Sequence, residues 1–84
     1  MTRIAKLYSQ LRTQNRTLKF SELQSLMRAA GFVLVRTRGS HESYRHPRVP
    51  QVLTIQPHKN MAQGYQVREF LAKVDVFDLW NDDQ

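Results

Sequence analysis

Eighty-four residues with a net charge of +6 and no cysteine make one small domain and exclude disulfides, thiolate chemistry and cysteine-based zinc sites. A chain this short buries only about 60–65% of its unfolded surface, so a partner or a dimer could add to its stability. Its longest apolar stretches are a few residues, and no apolar signal core follows the basic N-terminus; the expectation is a soluble, cytoplasmic protein that makes no use of a membrane.

The charge divides unevenly. Residues 1–20 carry +5, residues 21–48 carry +3 and residues 49–68 carry +2, whereas residues 69–84 carry −4. A basic body with an acidic tail points to a polyanionic partner such as nucleic acid. Net charge alone leaves simple solubility an equal explanation.

In chain order, Ile4, Leu7, Tyr8 and Leu11 repeat at helical spacing, predicting a basic first helix over residues 2–15. Ser21 with Gln24 three residues on reads as a capping box for a second helix. Leu23, Leu26, Met27 and Ala30 give that helix one apolar face, and Gly31 stands where it should stop. The period then changes. Residues 32–37 are apolar and β-branched at one end and polar at the other, as in a strand leaving the core. Gly39 and Ser40 supply a hairpin turn, since glycine takes the positive φ such a turn needs. Residues 41–46 form a second strand. Pro47 and Pro50 bracket a loop, and residues 51–56 form a third strand stopped by Pro57. Val67, Phe70, Leu71 and Val74 restore helical spacing, with Gly64 near the start of that helix. Phe77, Leu79 and Trp80 read as core before a fraying tail over residues 81–84. The expected fold is α+β: a three-stranded antiparallel sheet with helices on one face, in the order α-α-β-β-β-α, its other face free to stay open.

One corner of such a fold collects the chemistry. If residues 47–50 join strands two and three, His46 lies opposite Val52, and His41 lies opposite Pro57 and beside His58. Arg36 and Arg38 arrive at the same end, and Lys59 follows in the loop to the last helix, whose N-terminal N–H groups suit an anion. This corner fits RNA phosphodiester chemistry. A 2′-hydroxyl must lose a proton as it attacks phosphorus, and the leaving 5′-oxygen must gain one. Imidazole, with a reference pKa of about 6.5, can do either near neutral pH. Arginine or lysine would offset the charge growing on the phosphoryl oxygens. That route requires no metal or other cofactor. Of the two histidines at the corner, His41 is the stronger candidate.

Plainer explanations stand beside this one. A histidine opening an exposed strand is more often an inert surface residue. His46, on the opposite strand face, reads as structural, and Tyr44 and Tyr65 read as packing residues. A metal site joining His41, His46 and His58 is disfavoured, since two of them face apart without a carboxylate cluster.

The motif narrows the choice. The run from Leu23 to Phe32, then Val35 and Arg36, then Gly39, Ser40 and His41, then Tyr44 to Pro47, resembles the HicA family of bacterial toxins. So do Gln56, Pro57, His58 and Lys59, followed by Gly64, Val67 and Arg68. The resemblance covers residues 20–74, leaving residues 2–15 as an extra basic helix and residues 75–84 as an acidic extension. It implies a double-stranded-RNA-binding-domain-like fold and metal-independent cleavage of messenger RNA. It also implies neutralisation by a HicB-type antitoxin covering the site. By position the family's catalytic histidine falls on His41. Arg36, Arg38, Gly39, Ser40, His58 and Lys59 are the expected RNA contacts. Many members have a second histidine where this chain has Glu42, which strand alternation should point away from His41. Two other classes of function remain: a non-enzymatic RNA-binding module, and a purely protein-binding partner with lost activity. A last helix bearing Arg68 and Lys73 around Glu69 suits a double-stranded-RNA binder poorly.

Overall fold

The computed structural model describes residues 2–81; Asp82, Asp83 and Gln84 of the expected tail lie outside the described residues. The elements follow the expected order: α1 (Arg3–Gln14), α2 (Phe20–Ala29), β1 (Val33–Arg38), β2 (His41–His46), β3 (Val49–Ile55) and α3 (Gly64–Phe77). The sheet is antiparallel, in the order β1-β2-β3. Among the described residues no helix is long and apolar enough to cross a membrane.

The Thr2 hydroxyl caps α1 by accepting the Ala5 N–H at 3.1 Å, and Asn15, at φ 49°, closes it in the left-handed conformation. The second helix starts differently from its sequence pattern. Its N-cap is Lys19, and the Glu22 carboxylate accepts the Lys19 N–H at 2.8 Å. Ser21 is already inside the helix, and the Gln24 amide donates to Glu42 instead, at 2.8 Å. The reason is tertiary: the loop before α3 pairs with this linker, and Phe20 N–H donates to the Asn60 carbonyl at 3.0 Å, fixing the helix start two residues early.

The end of α2 is local chemistry. Gly31 takes φ +100°, its N–H reaches the Arg28 carbonyl at 3.0 Å, and the Phe32 N–H reaches the Met27 carbonyl at 2.9 Å. These are the two hydrogen bonds of a Schellman stop, and Phe32 and Met27 are both buried as that motif favours. Gly39 at φ +60° turns β1 into β2, with Arg38 paired to His41.

The second hairpin corrects the expected loop. His46 pairs with Val49, not Val52, leaving only Pro47 and Arg48 in the turn. Pro50 belongs to β3 itself. The strand lies at the sheet edge, where a missing N–H need not break a ladder, and buried Val49 anchors its first residue. A register irregularity between Tyr44 and His46 absorbs the difference. Beyond it, Glu42 pairs with Ile55 and Tyr44 with Leu53, one residue from the expected alignment.

Leu23, Leu26 and Met27 of α2 and Val67, Phe70 and Val74 of α3 pack with Tyr44, Leu53 and Ile55 in one buried cluster. Phe32 joins them, but Val33, Leu34 and Val35 stay exposed. The apolar end of β1 therefore does not enter the core as its composition suggested. It lies at the other edge of the sheet. Outside the strands, Leu11 and Leu79 extend the core, while Tyr8 stacks on Trp80 at 3.9 Å between centroids and Arg12 pairs with Asp75. The first helix and the segment after α3 thus hold each other. Tyr65 departs from expectation: it is 55% exposed and does not pack.

Tyr44 makes a testable statement about this core. Burial, and then its hydrogen bond to the Glu42 carboxylate at 2.7 Å, push its phenol up to about 12. An acid whose folded pKa is raised stabilises the fold fully below its unfolded value near 10. That contribution is lost as pH rises through about 12. Tyr44→Phe should cost about 1 kcal/mol at neutral pH and remove the latest-titrating phenolate from an absorbance titration.

Candidate functional site

The pleat sorts the strand residues. Tyr44, Leu53 and Ile55 face the helices. His41 and Ser43 therefore face the other way, as do Arg36 and Arg38, paired with Ser43 and His41 respectively. A shallow depression of about 160 Å³ opens on this bare face, lined by Arg36, Arg38, His41, Ser43 and Thr54. Both arginines and the imidazole are exposed. Inside it the Ser43 and Thr54 hydroxyls share a hydrogen bond at 3.0 Å.

His41 Nε2 lies 2.6 Å from Gln56 Oε1. That contact follows from the corrected register, which carries Gln56 rather than Pro57 to the position opposite His41. Gln56 is itself pinned by α3. Its N–H donates to Gln66 Oε1 at 3.1 Å, and its carbonyl accepts from Gln63 Nε2 at 2.9 Å. Gln66 is only 5% exposed, and its own amide N–H₂ donates to the Tyr65 hydroxyl at 3.1 Å.

The remaining expected site residues lie apart from the depression. Gly39 and Ser40 form the turn beside it, and Gly39 faces open space where a side chain would project. His58 and Lys59 occupy a separate tight turn, closed by paired His58 and Met61 backbone hydrogen bonds at 3.0 and 2.9 Å. Lys59 and Asn60 both take positive φ there. Neither His58 nor Lys59 lines the depression. At the N-terminus of α3 the Gln63 carbonyl accepts the Gln66 and Val67 N–H groups, and the Gln63 side chain makes no cap hydrogen bond.

Glu42 points to the helix face, where its carboxylate accepts from Tyr44 and Gln24. His46 is also turned away from the open face. Its Nε2 meets the Ala30 carbonyl at 3.0 Å and its Nδ1 accepts the Arg48 N–H at 3.1 Å, so the neutral ring serves as a structural link. Among the described residues no three His, Asp or Glu side chains converge.

Sequence reasoning missed four residues of this face. Alternation from His41 was enough to find Ser43 and Arg45. Thr54 and Gln56 needed the register of β3, which the proline pair obscured. A larger groove between α1 and α2 carries Arg3, Lys6 and Arg16 on its walls. Its acid, Glu22, is engaged by Arg16 and the Lys19 N–H, and no imidazole lines it.

The open strand face is cationic and carries one exposed imidazole, a charge pattern complementary to a polyanion. A family model described as HicA toxin of bacterial toxin–antitoxin matches residues 20–76. The chain belongs to that family and is a toxin of the toxin–antitoxin class; the family implies in general an antitoxin partner and an RNA substrate. No curated protein and no solved structure matches the chain significantly.

Proposed function

We propose that this protein is a metal-independent endoribonuclease that cleaves messenger RNA in the cytoplasm through His41, and that a HicB-type antitoxin silences it by covering the open strand face. We read its α-α-β-β-β-α order as a variant of the double-stranded-RNA-binding architecture. One observation carries the reading: in a HicA-family chain, an exposed imidazole shares a depression with Arg36 and Arg38 and with no carboxylate. A phosphate in that depression meets cations that offset charge on its equatorial oxygens. The imidazole takes the proton of the adjacent 2′-hydroxyl or gives one to the leaving oxygen. Gly39 and Ser40 at the turn, and His58 and Lys59 on the turn beyond Gln56, are the outer contacts along the strand of RNA. The basic surface also suits an acidic face on the antitoxin.

Incubating the purified chain with end-labelled RNA tests this directly. New 5′-hydroxyl ends are expected in the presence of chelator. Salt-sensitive retention without new ends would instead mark a binding module, and no affinity at all would mark a protein-binding partner.

A further inference from the structure

A single base needs one nitrogen free and aimed, and neutral imidazole exists in two tautomers that differ in which nitrogen that is. The neighbours of His41 select between them. Arg36 and Arg38 carry donors only, and the Ser43 and Thr54 hydroxyls are engaged with each other. The acceptor that reaches the ring is Gln56 Oε1, at 2.6 Å from Nε2. Its backbone is held on both sides, by Gln63 at the N-cap of α3 and by buried Gln66 within the helix, which fixes where its side chain leaves β3.

We propose that Gln56 is the positioning residue of this site: it accepts the Nε2–H of His41 and so leaves Nδ1 as the nitrogen that receives the substrate proton. This rests on the nuclease reading and assigns its proton-transfer atom. In the step it implies, the 2′-hydroxyl proton passes to Nδ1 and the freed electron pair forms the O2′–P bond. The P–O5′ bond breaks, its electron pair stays on O5′, and water supplies the proton that completes the 5′-hydroxyl. The resulting imidazolium keeps its Nε2–H on the amide oxygen. A neutral amide suits this place better than a carboxylate, because it orients the ring without setting a negative charge beside the scissile phosphate. The charged groups lining the depression around His41 are Arg36 and Arg38 of β1; β2 and β3 add only the uncharged Ser43 and Thr54.

Two variants of the full chain and one spectrum test the assignment. Nitrogen-15 NMR of the wild type should show His41 as the Nε2–H tautomer in its neutral form, and Gln56→Ala should show a mixture. In cleavage assays Gln56→Ala should lower kcat about tenfold to a hundredfold with KM unchanged, as expected when a reacting group is misaimed. Gln56→Glu keeps an acceptor and should restore most of the rate. Its added charge favours the imidazolium, so the acid limb of the pH–rate profile should move up by about one pH unit or more. Wild-type kcat and pH profile in both variants, beside an inactive His41→Ala, would overturn the positioning role and leave the nuclease reading intact. Wild-type cleavage by His41→Ala would overturn the parent reading itself. An Nδ1–H tautomer in the wild-type spectrum would overturn the atom assignment whatever the rates.

Discussion

His41→Ala should cut RNA about 10²–10⁴-fold more slowly than the wild type, the range a single acid–base group contributes, while folding as the parent does. The imidazole is exposed and meets one amide oxygen on the same open face, so truncation opens no cavity and strands no buried group. Surface changes of that kind usually stay within about 0.5 kcal/mol. Rate and stability are therefore expected to separate cleanly. Inducible expression of both chains, with growth followed beside the RNA 5′ ends, measures the first; thermal unfolding measures the second. Equal growth arrest and equal cleavage by the variant would remove His41 from the mechanism. Loss of activity together with loss of fold would mean that the ring has a structural duty the hydrogen bonds do not reveal.

The second large effect lies on the opposite face. Gly31→Ala should destabilise the protein by about 2–3 kcal/mol, from two costs of different origin. A side chain at φ +100° is strained wherever it points, at about 1–2 kcal/mol. The added Cβ would also stand 2.8 Å from His46 Nε2, the atom that meets the Ala30 carbonyl. Moving that ring sacrifices a part-buried hydrogen bond, about 1 kcal/mol more. Against a total stability of about 5–15 kcal/mol for a small domain, the loss is severe. Urea denaturation of the single variants and the Gly31→Ala/His46→Ala pair apportions the costs. In the His46→Ala background the glycine substitution should be cheaper by about 1 kcal/mol. An unchanged cost would show that the close approach to His46 contributes nothing, and that backbone strain is the whole effect.

The contrast between these two positions shows which features of the fold are local to the sequence. Gly31, and Gly39 at the hairpin, declare themselves because left-handed backbone is a property of one residue and its immediate neighbours. The apolar stripes of α1, α2 and α3 are equally local, and each forms where its spacing indicates. The capping pattern of Ser21 and Gln24 failed because a hydrogen bond from a distant loop competes for the same helix start. The apolar end of β1 failed for a related reason: β-branched composition favours a strand without saying whether a helix will cover it. Tyr65, an aromatic at the start of a buried helix, lies on the face that turns outward.

Local patterning along the chain was thus sufficient for the order of elements, the antiparallel meander, the face on which Glu42 and His46 point, and the meeting of Arg36, Arg38 and His41. Those depend on alternation and on a two-residue turn, interactions between residues near each other in sequence. The partner of His41 was not available in that way. Gln56 reaches the ring only because Pro50 could join an edge strand, a register irregularity absorbed the shorter turn, and α3 clamped the strand end with Gln63 and Gln66. Register across a proline-flanked hairpin is a competition between distant contacts, and a slip of one residue exchanges every cross-strand neighbour. Only packing the third strand against the last helix resolves that competition.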